Sequence, residues 1–245
     1  VVAIVSLTDI QRNIVGIGQT REDDLWSSGL PIIFVVDHDG KAVFHPDNQI
    51  AMQRRSLDNL KIVGEWLESG DPEKDLWAVG SMFAAARAVG TAVREMHKID
   101  GGYLQQHDVD FSASFILAGQ LKTGRLRLFL IYDAGNFIEA MGDTIYFQIG
   151  EVKYGKPILD RIIQPSTSLN DAVKCALISF DSTMRSNVSV GPPIDIFVYR
   201  RDSMAPGFTI RLEGSDPYLR SIRDAWGSAL HKAFQDTVPG PGWKI

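Results

Sequence analysis

Repeated switches of hydrophobic period, from alternating residues to one face of a helix and back, constrain the fold of this chain more than any other feature. Alternating or β-branched runs are typical of strands, and apolar residues three or four apart are typical of amphipathic helices. The predicted elements are strands at 1–7, 13–18, 31–36 and 41–45, helices at 56–69 and 76–99, strands at 111–119, 126–132, 137–141 and 144–150, helices starting at 156 and 168, strands at 194–199 and 208–212, and a last helix at 216–235.

This order predicts the fold class. Runs of strands that alternate with runs of helices favour an α+β fold with antiparallel sheets over a βαβ repeat. Two sheets packed face to face with helix pairs outside would use every element, and that arrangement is a four-layer α-β-β-α sandwich. A chain of 245 residues has ample material for such a core, and we predict a single domain over residues 1–245.

Local signals mark several element ends. Ser168 with Asp171 three residues later has the spacing of a capping box, and Asp216 followed by Pro217 is typical of a helix start. The pair Gly101-Gly102 is expected to end the long helix that precedes it.

Charge and composition exclude several function classes. The net charge is −5 and no run of Lys or Arg occurs, which argues against a nucleic-acid partner. No apolar run approaches the ~20 residues that span a bilayer and no signal-peptide pattern is visible, so no membrane partner is predicted. The single cysteine, Cys175, lies in an apolar helix stripe, and we interpret it as a core residue in a reducing, cytoplasmic compartment. The chain begins at Val1 without a methionine, which indicates processing or a fragment of a longer protein.

Two histidines, His38 and His45, flank a turn that also carries Asp37, Asp39 and Asp47. Imidazole and carboxylate groups are metal ligands, so metal-dependent hydrolysis is one hypothesis for this turn. No second His or Cys group completes the ligand set, and we favour solvated turn residues. Neither a metal nor another cofactor is predicted.

Five long motifs resemble those of one protein family. They are DFSASFILAGQ (110–120), LFLIYDAGNFIEA (128–140), QIGEVKYGKPILDRII (148–163), FDSTMRSNVSVGPPIDIFVYRRDS (180–203) and EGSDPYLRSIRDAW (213–226). Residues 77–234 resemble the Anbu-type bacterial proteasome homologues, relatives of the proteasome β subunit and the HslV peptidase. The resemblance implies the N-terminal-nucleophile hydrolase sandwich, a peptide or unfolded-protein substrate, and self-association into a ring or helical oligomer. Family members assemble through their helical layers, and the alanine-rich helix at 76–99 is the expected contact.

The resemblance also implies a mechanism. An N-terminal threonine attacks the peptide carbonyl, its own α-amine acts as base, and nearby Lys and Asp side chains tune the proton transfer. Backbone N–H groups then hold the oxyanion. This sequence departs from that pattern, because Val1 has no hydroxyl, no Asp-Ser-Arg-Thr run occurs, and the first lysine, Lys41, is predicted to lie in a turn. The primary catalytic residues are therefore not placed.

The residues that support the nucleophile can be carried over. Gly150 and Glu151 match the Gly-Ser turn that lies beside the N-terminus in proteasome subunits. The loop after the next long helix matches an Arg-Asp-x-x-Ser-Gly-Gly segment that orders the nucleophile. In this loop Ser186 stands in place of the aspartate, Ser189 keeps the serine, and Gly191 keeps a glycine.

Several alternatives stay open. Ser186, Asn187 and Ser189 could serve only to cap the preceding helix. Residues 1–70 do not match the family, and GLPIIFVVDHDGKAVFHPD (29–47) is similar to the strand-turn-strand of Cache-type sensor domains. This part is therefore either a sensor segment or a divergent first sheet. The function is accordingly a peptidase subunit whose nucleophile is not identified, or an inactive scaffold whose N-terminal segment binds a ligand or partner.

Overall fold

The computed structural model describes residues 2–5, 32–37, 79–106, 113–121, 124–188, 190–199, 201–202 and 208–243. The strands in this part of the chain are β1 (Val2–Val5), β2 (Ile32–Asp37), β3 (Ala113–Gly119), β4 (Arg127–Ile131), β5 (Phe137–Glu139), β6 (Tyr146–Ile149), β7 (Ile194–Val198) and β8 (Phe208–Leu212). Its helices are α1 (Met82–Gln106), α2 (Lys156–Ile162), α3 (Leu169–Ser186) and α4 (Pro217–Asp236). Strand runs and helix runs alternate along the chain, and the fold class is α+β as predicted.

An antiparallel sheet in the order β2-β3-β4-β5 lies at the centre of the described structure. The pairs Phe115 with Ile131 and Leu117 with Phe129 set the register between β3 and β4. Turn residues between the strands allow this meander, since Gly135 adopts a φ of 73° in the turn between β4 and β5. The prediction of an antiparallel meander is confirmed for β3, β4 and β5.

The meander does not extend to β6, and the prediction of purely antiparallel sheets is wrong here. β6 pairs in parallel with β1, in a register that joins Val2 to Tyr146 and Val5 to Ile149. β6 does not extend the meander because its alternating buried residues, Phe147 and Ile149, pack against the face of the four-stranded sheet. A strand in that position cannot hydrogen-bond to the edge of the same sheet, and it pairs with β1 instead.

The two faces of the central sheet bury different clusters because side chains alternate along a strand. Phe115, Leu117, Phe129 and Ile131 lie against α1. Their neighbours Ile116 and Leu128 point to the other face and contact β6. A third cluster joins α2, α3 and α4 to β7 and β8, with Tyr146 of β6 packed against it. The packing order is therefore α1, the four-stranded sheet, the β1–β6 pair, and then α2, α3 and α4. The complete four-layer sandwich stays a prediction.

Helix α1 differs from its predicted bounds at both ends. It begins at Met82, where the Ser81 hydroxyl accepts a hydrogen bond from the N–H of Ala84 (3.1 Å). It continues through Gly101 and Gly102 to Gln106, so the predicted glycine stop is wrong. A glycine inside a helix costs only ~1 kcal/mol, and neither glycine takes the positive φ of a helix end.

The predicted caps of α3 and α4 are confirmed. The Ser168 hydroxyl accepts a hydrogen bond from the N–H of Asp171 (3.1 Å) and donates one to its carboxylate (2.8 Å). The Asp216 carboxylate accepts from the N–H groups of Tyr218 (2.7 Å) and Leu219 (3.3 Å), with Pro217 in the first helical turn. These bonds satisfy donors that a helix start otherwise leaves unpaired.

A buried amide ties the central sheet to the turn after β7. The carbonyl of the Gln120 side chain accepts from the N–H of Asp202 (2.9 Å) and the hydroxyl of Tyr199 (3.3 Å). Its amide nitrogen donates to the carbonyl of Gly124 (3.0 Å) and to the carboxylate of Asp202 (2.5 Å). All four hydrogen-bonding sites of this amide are used, and these bonds offset the cost of removing it from water.

Several predicted features lie outside the described residues. These are the strands at 13–18 and 41–45, the helix at 56–69, and the site residues Val1 and Ser189. His38 and His45, the histidines of the metal-site hypothesis, also lie outside the described residues. Of the Cache-like segment, only the strand β2 is described. Among the helices that are described, none has an apolar stretch of the length a bilayer crossing requires.

Candidate functional site

The Gly150-Glu151 turn follows directly after β6. Gly150 adopts a φ of 82°, a conformation that is costly for any residue with a Cβ atom, and this explains why a glycine ends the strand here. The side chain of Glu151 lies over the turn, because its carboxylate accepts a hydrogen bond from the backbone N–H of Lys153 (3.0 Å). The turn therefore presents a fixed carboxylate at the end of β6.

The end of α3 lies against this turn. Asn187 follows the last residue of the helix, and its side-chain amide donates a hydrogen bond to the other carboxylate oxygen of Glu151 (3.0 Å). Each oxygen of Glu151 thus has a defined partner. One charge-assisted hydrogen bond joins the two segments that the sequence predicted as walls of the site.

The remaining predicted site residues sit around this bond. Ser186 is the last residue of α3 and is exposed, and Gly191 is half-buried beyond the helix end. Asn187 occupies the C-cap position of α3, and its backbone N–H donates to the carbonyl of Thr183 (2.8 Å). The side chain of Asn187 binds Glu151, and the sequence analysis did not foresee this contact.

A second close contact sets the position of the turn against α3. A Cβ atom on Gly155 would collide with the hydroxyl of Ser179 and lie 2.9 Å from the hydroxyl of Thr183. Both hydroxyl residues are buried, and Thr183 donates to the carbonyl of Ser179 (2.9 Å). Glycine at 155 is thus required for the chain between β6 and α2 to approach the helix.

A charged cluster near the start of α2 was not singled out by the sequence analysis. The Lys156 ammonium donates to both oxygens of the Asp160 carboxylate (2.7 and 2.9 Å) and to the hydroxyl of Tyr146 (3.1 Å). The hydroxyl of Tyr146 in turn donates to Asp160 (2.5 Å). The signal that could have found it is the four-residue spacing of Lys156 and Asp160, which places them on one helix face.

The electrostatics of this cluster define what Lys156 can do. Its hydrogen bond to Asp160 raises the pKa of the ammonium, and the same bond lowers the pKa of the carboxylate. Burial, followed by the hydrogen bond to Asp160, raises the pKa of the Tyr146 hydroxyl. Lys156 is therefore a charged donor at neutral pH, and a general base would need a lower pKa.

The register of β1 against β6 shows how far the charged cluster lies from the Gly150-Glu151 turn. The described start of β1 pairs with Tyr146, beside the charged cluster, and its end pairs with Ile149, directly before the Gly150 turn. The length of β1, about 10 Å at 3.3 Å per residue, therefore separates the cluster from the turn along the sheet.

A buried carboxylate fixes α4 against α3 just before the predicted loop. Asp181 is 3% exposed, and its two oxygens accept hydrogen bonds from the Nε atoms of Arg185 (3.2 Å) and Arg223 (3.1 Å). Both arginine side chains are about half exposed. The buried carboxylate is thus paired with two arginines. One of them, Arg185, directly precedes the predicted site residue Ser186.

The described residues bear on the role of Cys175 and on metal binding. Burial raises the pKa of the Cys175 thiol, and the residue is buried in the cluster of α2, α3 and α4, which supports the core interpretation over a nucleophile. Within the described ranges no group of three or more His, Cys, Asp or Glu side chains is arranged to hold a metal ion. His38 and His45 lie outside those ranges.

Solved structures similar to this chain include three at nearly the same level of identity. Anbu (ancestral beta-subunit) from Yersinia bercovieri is 39% identical with a TM-score of 0.71, over 89% of this chain and 84% of that chain. Anbu from Hyphomicrobium sp. strain MC1 is 38% identical with a TM-score of 0.70, over the same shares of the two chains. The third structure, a helical assembly of the Anbu complex from Pseudomonas aeruginosa, is 34% identical with a TM-score of 0.70, over 87% and 83%.

No family model and no curated protein matches the sequence. The structural matches cover a larger share of the chain than the span 77–234 on which the motifs indicated a resemblance. Identity of this level over most of both chains establishes kinship as well as a common fold. The chain belongs to the Anbu family of proteasome-like proteins.

Proposed function

We propose that this chain is a subunit of a proteasome-type peptidase that hydrolyses peptide bonds by an N-terminal-nucleophile mechanism. The observation that carries the proposal is the hydrogen bond between Glu151 and Asn187, which joins the two segments that match the walls of a proteasome site. A hydrolase of this kind depends on positioning, and an error of ~1 Å can cost about 100-fold in rate. In this proposal the bond holds the walls at the spacing the reaction needs.

The test compares an asparagine at the start of α3 with the one that follows its end in a peptidase assay. Asn187→Ala removes the bond to Glu151, and Asn170→Ala, at the exposed start of the same helix, is the matched control. The native N-terminus is first established by intact mass, and turnover of fluorogenic peptides and labelling by a threonine-directed inhibitor are then measured. We expect turnover and labelling by the unaltered protein, a loss of ~10-fold or more in Asn187→Ala, and no change in Asn170→Ala.

A protein with its native N-terminus that neither turns over any peptide nor is labelled would contradict the peptidase proposal. Equal rates in both asparagine variants would contradict the positioning role of the Glu151–Asn187 bond alone.

The alternative function is a catalytically inactive proteasome-like scaffold whose N-terminal segment binds a ligand or partner. It is favoured by the sequence, which contains no Asp-Ser-Arg-Thr run and places Lys41 as its first lysine. A thermal-shift screen of small ligands tests it, because a ligand that binds only the folded state raises the melting temperature. Absence of any shift together with peptide turnover would remove this alternative.

We also propose that the chain assembles with copies of itself. Support comes from the Pseudomonas aeruginosa relative, whose structure is a helical assembly. The alanines Ala85, Ala86, Ala88 and Ala92 of α1 are buried within the chain and bring the helix close to its own sheet. An assembly contact at this helix therefore stays a prediction for its exposed face.

A further inference from the structure

Helix α4 carries an apolar ridge that runs along one face. Ile222, Trp226, Leu230 and Phe234 follow at intervals of four residues, which places them one above the other on the helix. Val238 has the same spacing beyond the helix end, and its N–H donates to the carbonyl of Ala233 (3.1 Å). We call these five residues the α4 ridge.

Among the described residues, only the beginning of the α4 ridge is covered. Ile222 is buried in the cluster with α2 and α3, together with Leu219. Beyond the half-buried Trp226 the ridge leaves the core, and Leu230, Phe234 and Val238 are 51%, 73% and 61% exposed. The contact between Arg223 and Asp181 holds this part of the helix on α3 (3.1 Å).

The exposed part of the ridge has the size of an interface core. An aromatic side chain covers ~150–250 Å² when buried, and the exposed Trp243 lies a few residues beyond Val238. The two aromatic side chains, Phe234 and Trp243, would together bury ~300–500 Å². This area lies within the ~300–600 Å² that the largest apolar patch of a monomer exposes. A standard interface takes ~800 Å² from each partner, so this patch with its polar rim can supply one side.

The charges around the exposed half of α4 select the kind of partner. Its polar positions include Lys232 and Asp236, with Asp224 about two turns before Lys232, so both signs are present. Helices that bind membrane surfaces carry a polar face rich in Lys and Arg, which is not the pattern here. A mixed surface of this kind does not repel a copy of itself.

We propose that the α4 ridge of a second copy of this chain covers this ridge, with the two helices related by a two-fold axis. A ridge of four-residue steps packs into the matching groove of a like helix at a crossing angle of about −50°. Small residues beside the ridge, Ala229 and Ala233, leave room for such a groove. A two-fold interface uses the same patch on both subunits, so one self-complementary surface suffices. The inference rests on the self-association proposed above and names its surface.

The first test measures mass in solution for variants on opposite faces of α4. Leu230→Glu and Phe234→Glu place a charge on the ridge, and Ser228→Glu places the same charge on the opposite face of the same turn. We expect sedimentation to show self-association of the unaltered protein and of Ser228→Glu. Both ridge variants should weaken association by about 100-fold.

The outcomes separate this inference from the proposal on which it rests. A protein that is monomeric at every concentration overturns both. An oligomer that persists in both ridge variants overturns the α4 interface and leaves self-association standing. Binding of the unaltered protein to anionic vesicles that Leu230→Glu abolishes, without any change of mass in solution, also overturns the α4 interface.

A second test does not depend on how a charged variant folds. The single cysteine, Cys175, is 1% exposed, so an introduced surface cysteine is the accessible thiol. Under mild oxidation Leu230→Cys or Phe234→Cys should form a covalent dimer, because ridge residues near a two-fold axis meet their own copies. Ser228→Cys should stay a monomer on a non-reducing gel. Equal cross-linking at 228 and at the ridge overturns the proposal.

Discussion

The first half of α1 and the second half of α4 carry similar apolar stripes in very different surroundings. Along α1 the stripe from Met82 to Met96 is buried, and its side chains lie against Leu117 and Phe129 of the central sheet. Along α4 the stripe continues past Trp226 with nothing from the described chain above it. An amphipathic pattern thus predicts that a face will be covered, and the tertiary structure decides whether the same chain covers it.

The largest expected difference in stability is between a leucine-to-alanine change beneath α1 and the same change on the α4 ridge. Leu117→Ala opens a cavity beneath α1 and should lower the free energy of unfolding by ~2–5 kcal/mol. Leu230→Ala removes an exposed side chain and should change the stability of the monomer by less than ~0.5 kcal/mol. Urea unfolding at low protein concentration checks both, and equal losses would mean that the α4 ridge is covered within the chain.

A pair of glycines on α1 sharpens the contrast between its buried and its exposed half. A Cβ atom on Gly90 would collide with the carbonyl oxygen of Gly135 and lie 3.1 Å from its carbon, whereas Gly102 has nothing within 4 Å. Gly90→Ala should therefore destabilise by ~1–3 kcal/mol. Gly102→Ala should stabilise by ~0.5–1 kcal/mol, because alanine is the better helix former. Thermal unfolding measures both, and a stable Gly90→Ala would show that α1 can move away from the turn.

The third prediction concerns the point where α4 leaves the core. Asp181→Asn removes the charge that binds Arg185 and Arg223, and we expect a loss of about 1.5 kcal/mol, at the low end for hydrogen bonds to charged groups. The loss stays small because both arginines are half exposed and water can hydrate them. Asp224→Asn, at an exposed position of α4, is the control for denaturant unfolding. Equal stability of the two variants would mean that the buried carboxylate does not hold the helix.

The smallest expected effect is a pH dependence near the sheet beneath α1. The hydrogen bond from Arg127 lowers the pKa of the Glu139 carboxyl below its usual value, and both side chains are mostly buried. The charged pair therefore adds stability above the unfolded pKa of ~4.3, and this contribution is lost as the pH falls through the lower folded value.

The pH prediction is checked by urea unfolding between pH 3 and 6, a range that brackets the ordinary glutamate pKa of ~4.3. In Glu139→Gln the stability should fall less steeply with acid, by up to ~1 kcal/mol across this range. Asp143→Asn, which removes an exposed carboxylate, is the control. A Glu139→Gln profile that parallels the unaltered protein would contradict the assignment.

The candidate site shows where sequence reasoning succeeded and where it stopped. The motifs identified both the Gly150-Glu151 turn and the segment after α3, and the structure brings them together through Glu151 and Asn187. The bond itself spans 36 residues of sequence, and no local pattern encodes such a pairing. The cluster of Tyr146, Lys156 and Asp160 was missed for a related reason, since one of its members lies on a different element.

The sequence by itself determined the α+β order of elements, the caps at Ser168 and Asp216, the core position of Cys175 and the family motifs. These features depend on neighbours within a few residues, where hydrogen bonding and helix or strand period act directly. Only the tertiary structure decided the rest: the parallel pairing of β6 with β1, and the ridge of α4 that the described chain leaves uncovered. Each depends on which distant surfaces meet, because burial of apolar area is non-directional and the chain fixes its partners only when it folds.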